Sequence, residues 1–148
     1  SHLGRSYAAK DTSKYNRVRF GDVVYTKSPT GSFPLGVVKQ SQVAIDVIVS
    51  PLYGVFEPRS YEAGYLIGAY FGSPAASKNY LRPIVQKGVK NTINVSNAGF
   101  ASGKLCLPRT SQEEMIVCDL LRAFDTLAIA VAGEPGQFKN LRTAPDRS

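Results

Sequence analysis

A short apolar strand that runs straight into a capped, long amphipathic helix constrains this chain more than any other feature. The strand, Lys104-Leu105-Cys106-Leu107, stops at Pro108. Thr110 and Ser111 each have a glutamate three residues on, Glu113 and Glu114. Either can close a capping box, in which hydroxyl and carboxylate satisfy amides of the first turn. Beyond the cap, Val117, Leu120, Phe124, Leu127 and Val131 recur at alternating steps of three and four. That spacing makes a narrow seam suited to a partner helix. The seam runs into Gly133-Glu134-Pro135-Gly136, so the helix is expected over 110–132, with 133–148 a helix remnant or flexible tail.

Upstream, most short segments read as strands. Residues 17–20 and 23–26 flank Gly21-Asp22, a strong hairpin signal that can also mark a bend. Residues 35–39, 43–50 and 52–56 follow, rich in Val and Ile, with a Ser50-Pro51 break. Then the period changes. Ser60 can cap a helix in which Tyr61, Tyr65, Ile67 or Gly68, and Phe71 recur, and Pro74 is expected to end it. A second short helix is expected over 75–81, and strands return at 92–95 and 104–107. The three tyrosines at 61, 65 and 70 read as core rather than as a stacking platform. The predicted class is α+β: a twisted, mostly antiparallel sheet, short flanking helices and one long C-terminal amphipathic helix.

Charge is unevenly placed. Residues 1–60 carry 8 basic and 4 acidic side chains, residues 61–110 carry 6 and 1, and residues 111–148 carry 4 and 6. A basic body beside a near-neutral helix suits a polyanion on one surface and a docking element on the other. Cys106 and Cys118 are too few for a disulfide scaffold and lack metal-ligand spacing, so they read as reduced, buried and structural. The single histidine lies in Ser1-His2, which reads as a cloning remnant. No Ser–His or Cys–His nucleophile and no histidine metal site can be assembled. No cofactor is expected, and no membrane-spanning run is present.

Three loops carry candidate DNA chemistry. In residues 25–34, Tyr25, Lys27, Ser28 and Thr30 offer a cation and hydroxyls for phosphate, pre-bent by two prolines and a glycine. In residues 86–92, Lys87 and Lys90 bracket Gly88, and Asn91 can pair bidentately with adenine. In residues 77–82, Lys78, Asn79 and Arg82 suit a phosphate clamp.

An ordered set of landmarks resembles the specificity subunits of type I restriction–modification systems. At the strand-to-helix junction these are Leu107, Pro108, Ser111, Glu113, Glu114, Ile116, Leu120 and Asp125. Upstream they are the Phe20-Gly21-Asp22-Val23-Val24-Tyr25 run, the Val49-Ser50-Pro51-Leu52-Tyr53-Gly54-Val55-Phe56 run, Tyr65-Leu66-Ile67, and Gly88-Val89-Lys90-Asn91. The resemblance covers roughly residues 17–131. Two features depart from it: Glu114 stands where glutamine is usual, and a glycine–proline stretch follows where the family's helix continues.

The resemblance implies a cytoplasmic, non-catalytic subunit. Residues 1–109 would be one DNA target-recognition domain and 110–132 its conserved helix. Its partners would be double-stranded DNA, methyltransferase subunits, a restriction and motor subunit, and a second recognition domain or a second copy packed through the helix. The chain would read one half of an interrupted sequence as a short or truncated half-subunit. It lacks a Walker-type loop and an Asn-Pro-Pro-Tyr or Asp-Pro-Pro-Tyr methylation motif. Two other readings stand beside this one. The first is an interaction module assembling through the helix with an incidental basic surface, and the second is a small enzyme using Asp22 or Asp46 as a base.

Overall fold

The structure, a computed structural model, describes the backbone of residues 5–6, 10–11, 16–88 and 92–143, and the side chains of 16–86, 88 and 92–131. The first half runs β1 (Arg5–Ser6), β2 (Lys10–Asp11), β3 (Arg17–Val18), β4 (Val23–Thr26), β5 (Val37–Gln40), β6 (Val47–Ile48) and β7 (Tyr53–Glu57). The second runs α1 (Tyr61–Phe71), α2 (Pro74–Leu81), β8 (Gln86–Lys87), β9 (Ile93–Asn94), α3 (Asn97–Ala101), β10 (Lys104–Leu105) and α4 (Ser111–Thr143). The fold is α+β with antiparallel pairing. Two compact units divide it, Ser1–Glu114 and Met115–Ser148. The first turn of α4 therefore belongs to the first unit, rather than to a helical region starting at residue 110.

Alternating apolar residues place β4 at the centre of a four-stranded sheet ordered β2-β7-β4-β5. Val23 and Tyr25 are buried while Val24 and Thr26 are half-buried, the two-residue period of a strand. Tyr25 lies opposite Val38 on β5 and Gly54 on β7. Phe56, Ile67, Phe71, Leu81 and Phe100 complete the core around them. Helix α1 presses close to β5 because glycine faces the sheet. A Cβ at Gly64 would come within 2.6 Å of Gln40 Nε2 and 2.9 Å of the Gly21 carbonyl oxygen. The Gln40 amide in turn donates to the carbonyls of Gly21 (3.2 Å) and Tyr61 (2.9 Å).

Several elements differ from the sequence reading, each for a local reason. Gly21-Asp22 closes no hairpin, since β3 pairs with β6 while β4 pairs with β5 and β7. Gly21, at φ 87°, bends the chain from one sheet into the other. The Val- and Ile-rich run at 43–50 shrinks to the two residues of β6, because β3 offers only Arg17 and Val18 to pair with. Val43, Ile45 and Ile48 are left exposed. Pro74 does not terminate a helix but begins α2, with Ser73 as its N-cap. Cys106 is exposed rather than buried, whereas Cys118 is buried, and no disulfide joins them.

The start of α4 takes one of the two capping boxes open to it. The Glu113 amide donates to Thr110 Oγ1 (3.1 Å), and the Thr110 amide donates to Glu113 Oε2 (3.3 Å). Glu114 turns inward instead. It is buried, pairs with Arg59 and accepts from Ser60 Oγ at 3.2 Å. Ser60 Oγ also accepts from the Ala63 amide at 3.0 Å, capping α1.

The second unit is the rest of α4. Its backbone stays helical through the Gly133–Gly136 stretch to Thr143, past the end expected at 132. Pro135 withdraws only one amide donor, at a cost of about 3 kcal/mol, and helix formers such as Gln137, Lys139 and Leu141 resume beyond it. The expected seam is exposed from its start: Val117, Leu120, Phe124, Leu127 and Val131 all face solvent. In these first turns the buried positions are Glu114 and Cys118.

Candidate nucleic-acid interface

Among the four residues nominated in the 25–34 loop, two are drawn into the fold. Tyr25 is 0 % exposed, stacks on Phe100 with centroids 5.1 Å apart, and donates its hydroxyl to the Leu35 carbonyl at 2.7 Å. Burial pushes its phenol up to about 12. Its nomination as a DNA contact is therefore corrected, because the strand period carries it inward while only the residues after Thr26 leave the sheet. Lys27 is half-buried, and its Nζ donates to the Val95 carbonyl at 2.6 Å. Ser28 and Thr30 are exposed, on a loop tightened by mutual backbone bonds between Thr30 and Phe33 (3.1 and 2.7 Å). Gly36 closes that loop at φ 102°, where a Cβ would come within 2.5 Å of the Thr26 carbonyl oxygen.

Lys78 and Asn79 lie within α2 and Arg82 caps its C-terminus, all three exposed. Helical spacing puts Lys78 and Arg82 one turn apart on the same side. Pro83 and Ile84 follow at once and lead into β8. The 86–92 segment is a β8–β9 hairpin in which Gln86 lies opposite Asn94, and the Gly88 amide donates to the Thr92 carbonyl at 3.0 Å. A Cβ at Gly88 would come within 2.4 Å of Thr92 Oγ1 and 2.5 Å of Asn94 Nδ2, so a side chain there would displace both. Lys87 lies in β8 with its side chain outside the described residues, and Lys90 and Asn91 lie outside them altogether.

Two of the three candidate segments, 25–34 and 86–92, border one cleft of about 650 Å³, and of the described candidate DNA-contacting residues only Lys27 lines it. Lys27 contributes from the end of β4, Pro83 and Ile84 from the chain just after α2, and Gln86 from β8, with Asn94 and Leu52 also lining it. Among the described residues, no aspartate, glutamate or histidine lines it. No protein-family model, curated protein or solved structure matches this chain.

Other candidate chemistry is spent on structure. Asp46 pairs with Arg17 at 2.8 Å. Asp22 is buried and accepts from the Arg19 amide at 2.8 Å, and burial raises its pKa above the ordinary carboxylate value. Among the described residues no cluster of three or more His, Cys, Asp or Glu could hold a metal ion, and no helix is long and apolar enough to cross a membrane. Of the tyrosines at 61, 65 and 70, the first two are half-buried. Tyr61 stacks on the exposed Phe20 ring at 5.3 Å, and Tyr70 is partly exposed beside Phe71 and Tyr80.

Four elements escaped the sequence reading, the short strands β1, β2 and β8 and one helix. Helix α3 is only five residues long, yet it delivers Phe100 to the core and Gly99 to the cleft. Its one local signal is Ser96, whose Oγ accepts from the Gly99 amide at 2.9 Å as an N-cap.

Proposed function

We propose that this chain is a sequence-specific DNA-binding specificity subunit of a type I restriction–modification complex. In this reading it recognises one half of an interrupted target and scaffolds the methyltransferase and restriction subunits without performing bond chemistry itself. The observation that carries the reading is the meeting of Lys27, from the 25–34 segment, with Gln86 and Asn94, from the β8–β9 hairpin, on one cleft whose described lining holds no carboxylate. Residues far apart in sequence meet where a cation and two amides can face a polyanion. The surplus of basic over acidic residues before position 111 supplies the long-range attraction. The ordered landmarks from residue 17 to 131 supply the identity of the complex.

Duplex binding across a range of salt concentrations tests this reading. Affinity should fall linearly on a logarithmic scale, with a slope of about −0.9 for each phosphate neutralised. Lys78→Ala and Arg82→Ala should each weaken binding to all sequences alike and flatten the slope by about one phosphate's worth. Binding that is absent, or indifferent to salt, rejects DNA recognition.

A second reading draws on a different observation, the exposed row on α4. Leu120, Phe124 and Leu127 are each more than half exposed, which favours a module that assembles through its helix. The two readings are compatible, since a specificity subunit would use that row to meet a second helix.

A further inference from the structure

Resting on the DNA-binding reading, we propose that the cleft receives a single nucleotide turned out of its stack. Leu52 would be the wedge that fills the space left behind. The cleft's volume of about 650 Å³ falls within the range of about 300–1,000 Å³ usual for small-ligand sites. Its walls combine three chemistries that a nucleotide needs. Pro83, Ile84 and Ile93 give apolar surface for the faces of a ring. Gln86 and Asn94 are directly opposed across the β8–β9 ladder, so both amides stand on one face of the ribbon. Each amide offers a donor and an acceptor for a base edge. Among the described residues Lys27 is the one charged residue of the lining, and its bond to the Val95 carbonyl holds the ammonium at the wall. A phosphate is thereby attracted at one place.

The wedge rests on separate observations. Leu52 is 75 % exposed, an apolar side chain in water at the rim of an amphipathic cleft. It stands on a rigid turn: the Tyr53 amide donates to the Ser50 carbonyl at 3.0 Å, and the Leu52 amide to Ser50 Oγ at 3.4 Å. Pro51 fixes the backbone between them. An apolar residue on such a turn, beside a cleft roomy enough for a whole nucleotide, is the pairing that opens a stack, since the wedge takes the place of the everted base. The same cleft would also accept a free nucleotide, so the shared ligand chemistry is a base carrying a phosphate.

The test compares the full chain on a fully paired duplex and on the same duplex with one unpaired nucleotide, labelled with 2-aminopurine at that position. Nucleoside monophosphates are titrated in parallel against the methyl NMR signals of Ile84 and Ile93. An everted-nucleotide site should bind the unpaired duplex about tenfold more tightly, because the cost of unpairing is already met, and should raise 2-aminopurine fluorescence. Leu52→Ala and Asn94→Ala should remove the preference for the unpaired duplex and its 2-aminopurine signal, weakening the unpaired duplex by more than the paired one. If the monophosphates shift both methyls but the duplexes bind alike, the site stands as one for free nucleotides. If the duplexes bind alike and the monophosphates move neither methyl, the inference fails while DNA binding survives. If neither DNA nor monophosphate binds, both readings fail together.

Discussion

Among the described residues Phe100 meets four other rings: Tyr25 at 5.1 Å, Phe56 at 4.6 Å, Phe71 at 5.7 Å and Tyr80 at 5.6 Å. Nothing local marks it, because its centrality comes from contacts with residues far away in sequence. The sequence placed residues 23–26 in a strand, but the neighbouring hydroxyls and Lys27 made Tyr25 look like a phosphate ligand. At the same scale Asp22 is open to a direct experiment. Burial, the largest influence, raises its folded pKa above the ordinary value of 3.8, so its protonated form is favoured by folding. Its contribution is therefore fully present below that ordinary value and is lost as pH rises through the raised one. Asp22→Asn keeps an acceptor for the Arg19 amide without the charge. It should unfold at a higher temperature than wild type near neutral pH and at the same temperature in acid, as followed by circular dichroism. A variant less stable at neutral pH would show that the carboxylate is favourable where it lies.

Elements with a cap and a period were legible from sequence. Helix α1 was recovered from Ser60 and its apolar repeat, and α4 from its strand-to-cap junction. Those defined by partners were not. A two-residue strand such as β6 exists because β3 lies beside it, and no local pattern encodes that. The sequence left open whether Thr110 or Ser111 caps α4, and the geometry chooses Thr110, with Glu114 committed to Arg59 and Ser60. Thr110→Ala should therefore cost about 1 kcal/mol in urea unfolding and speed hydrogen exchange at the Glu113 amide. Ser111→Ala should do neither. Equal losses from both variants would mean that the two hydroxyls share the cap.

At the scale of the whole chain, the second unit is a helix of 33 residues less its first turn, in all about 50 Å for α4. Phe124 and Leu127 are each 58 % exposed along it. Such a face favours self-association, and sedimentation of wild type should show mass rising with concentration. Phe124→Glu with Leu127→Glu should hold the chain monomeric with an unchanged fold, whereas a wild type monomeric at every concentration excludes pairing through this face. The first unit carries a different consequence, set by the glycine contact of α1 on β5. Gly64 leaves no room for a Cβ against Gln40, Gly21 or Pro58, and one residue of slip turns a helix by about 100°. The helix is thus keyed to its seat. Over evolutionary time the Pro58–Ser60 connection is free to change its letters but hardly its length, while the 28–32 loop, where Gly31 has open space around it, can grow and shrink. Insertions and deletions among relatives should gather at that loop, beside the cleft, and spare the connection that seats α1.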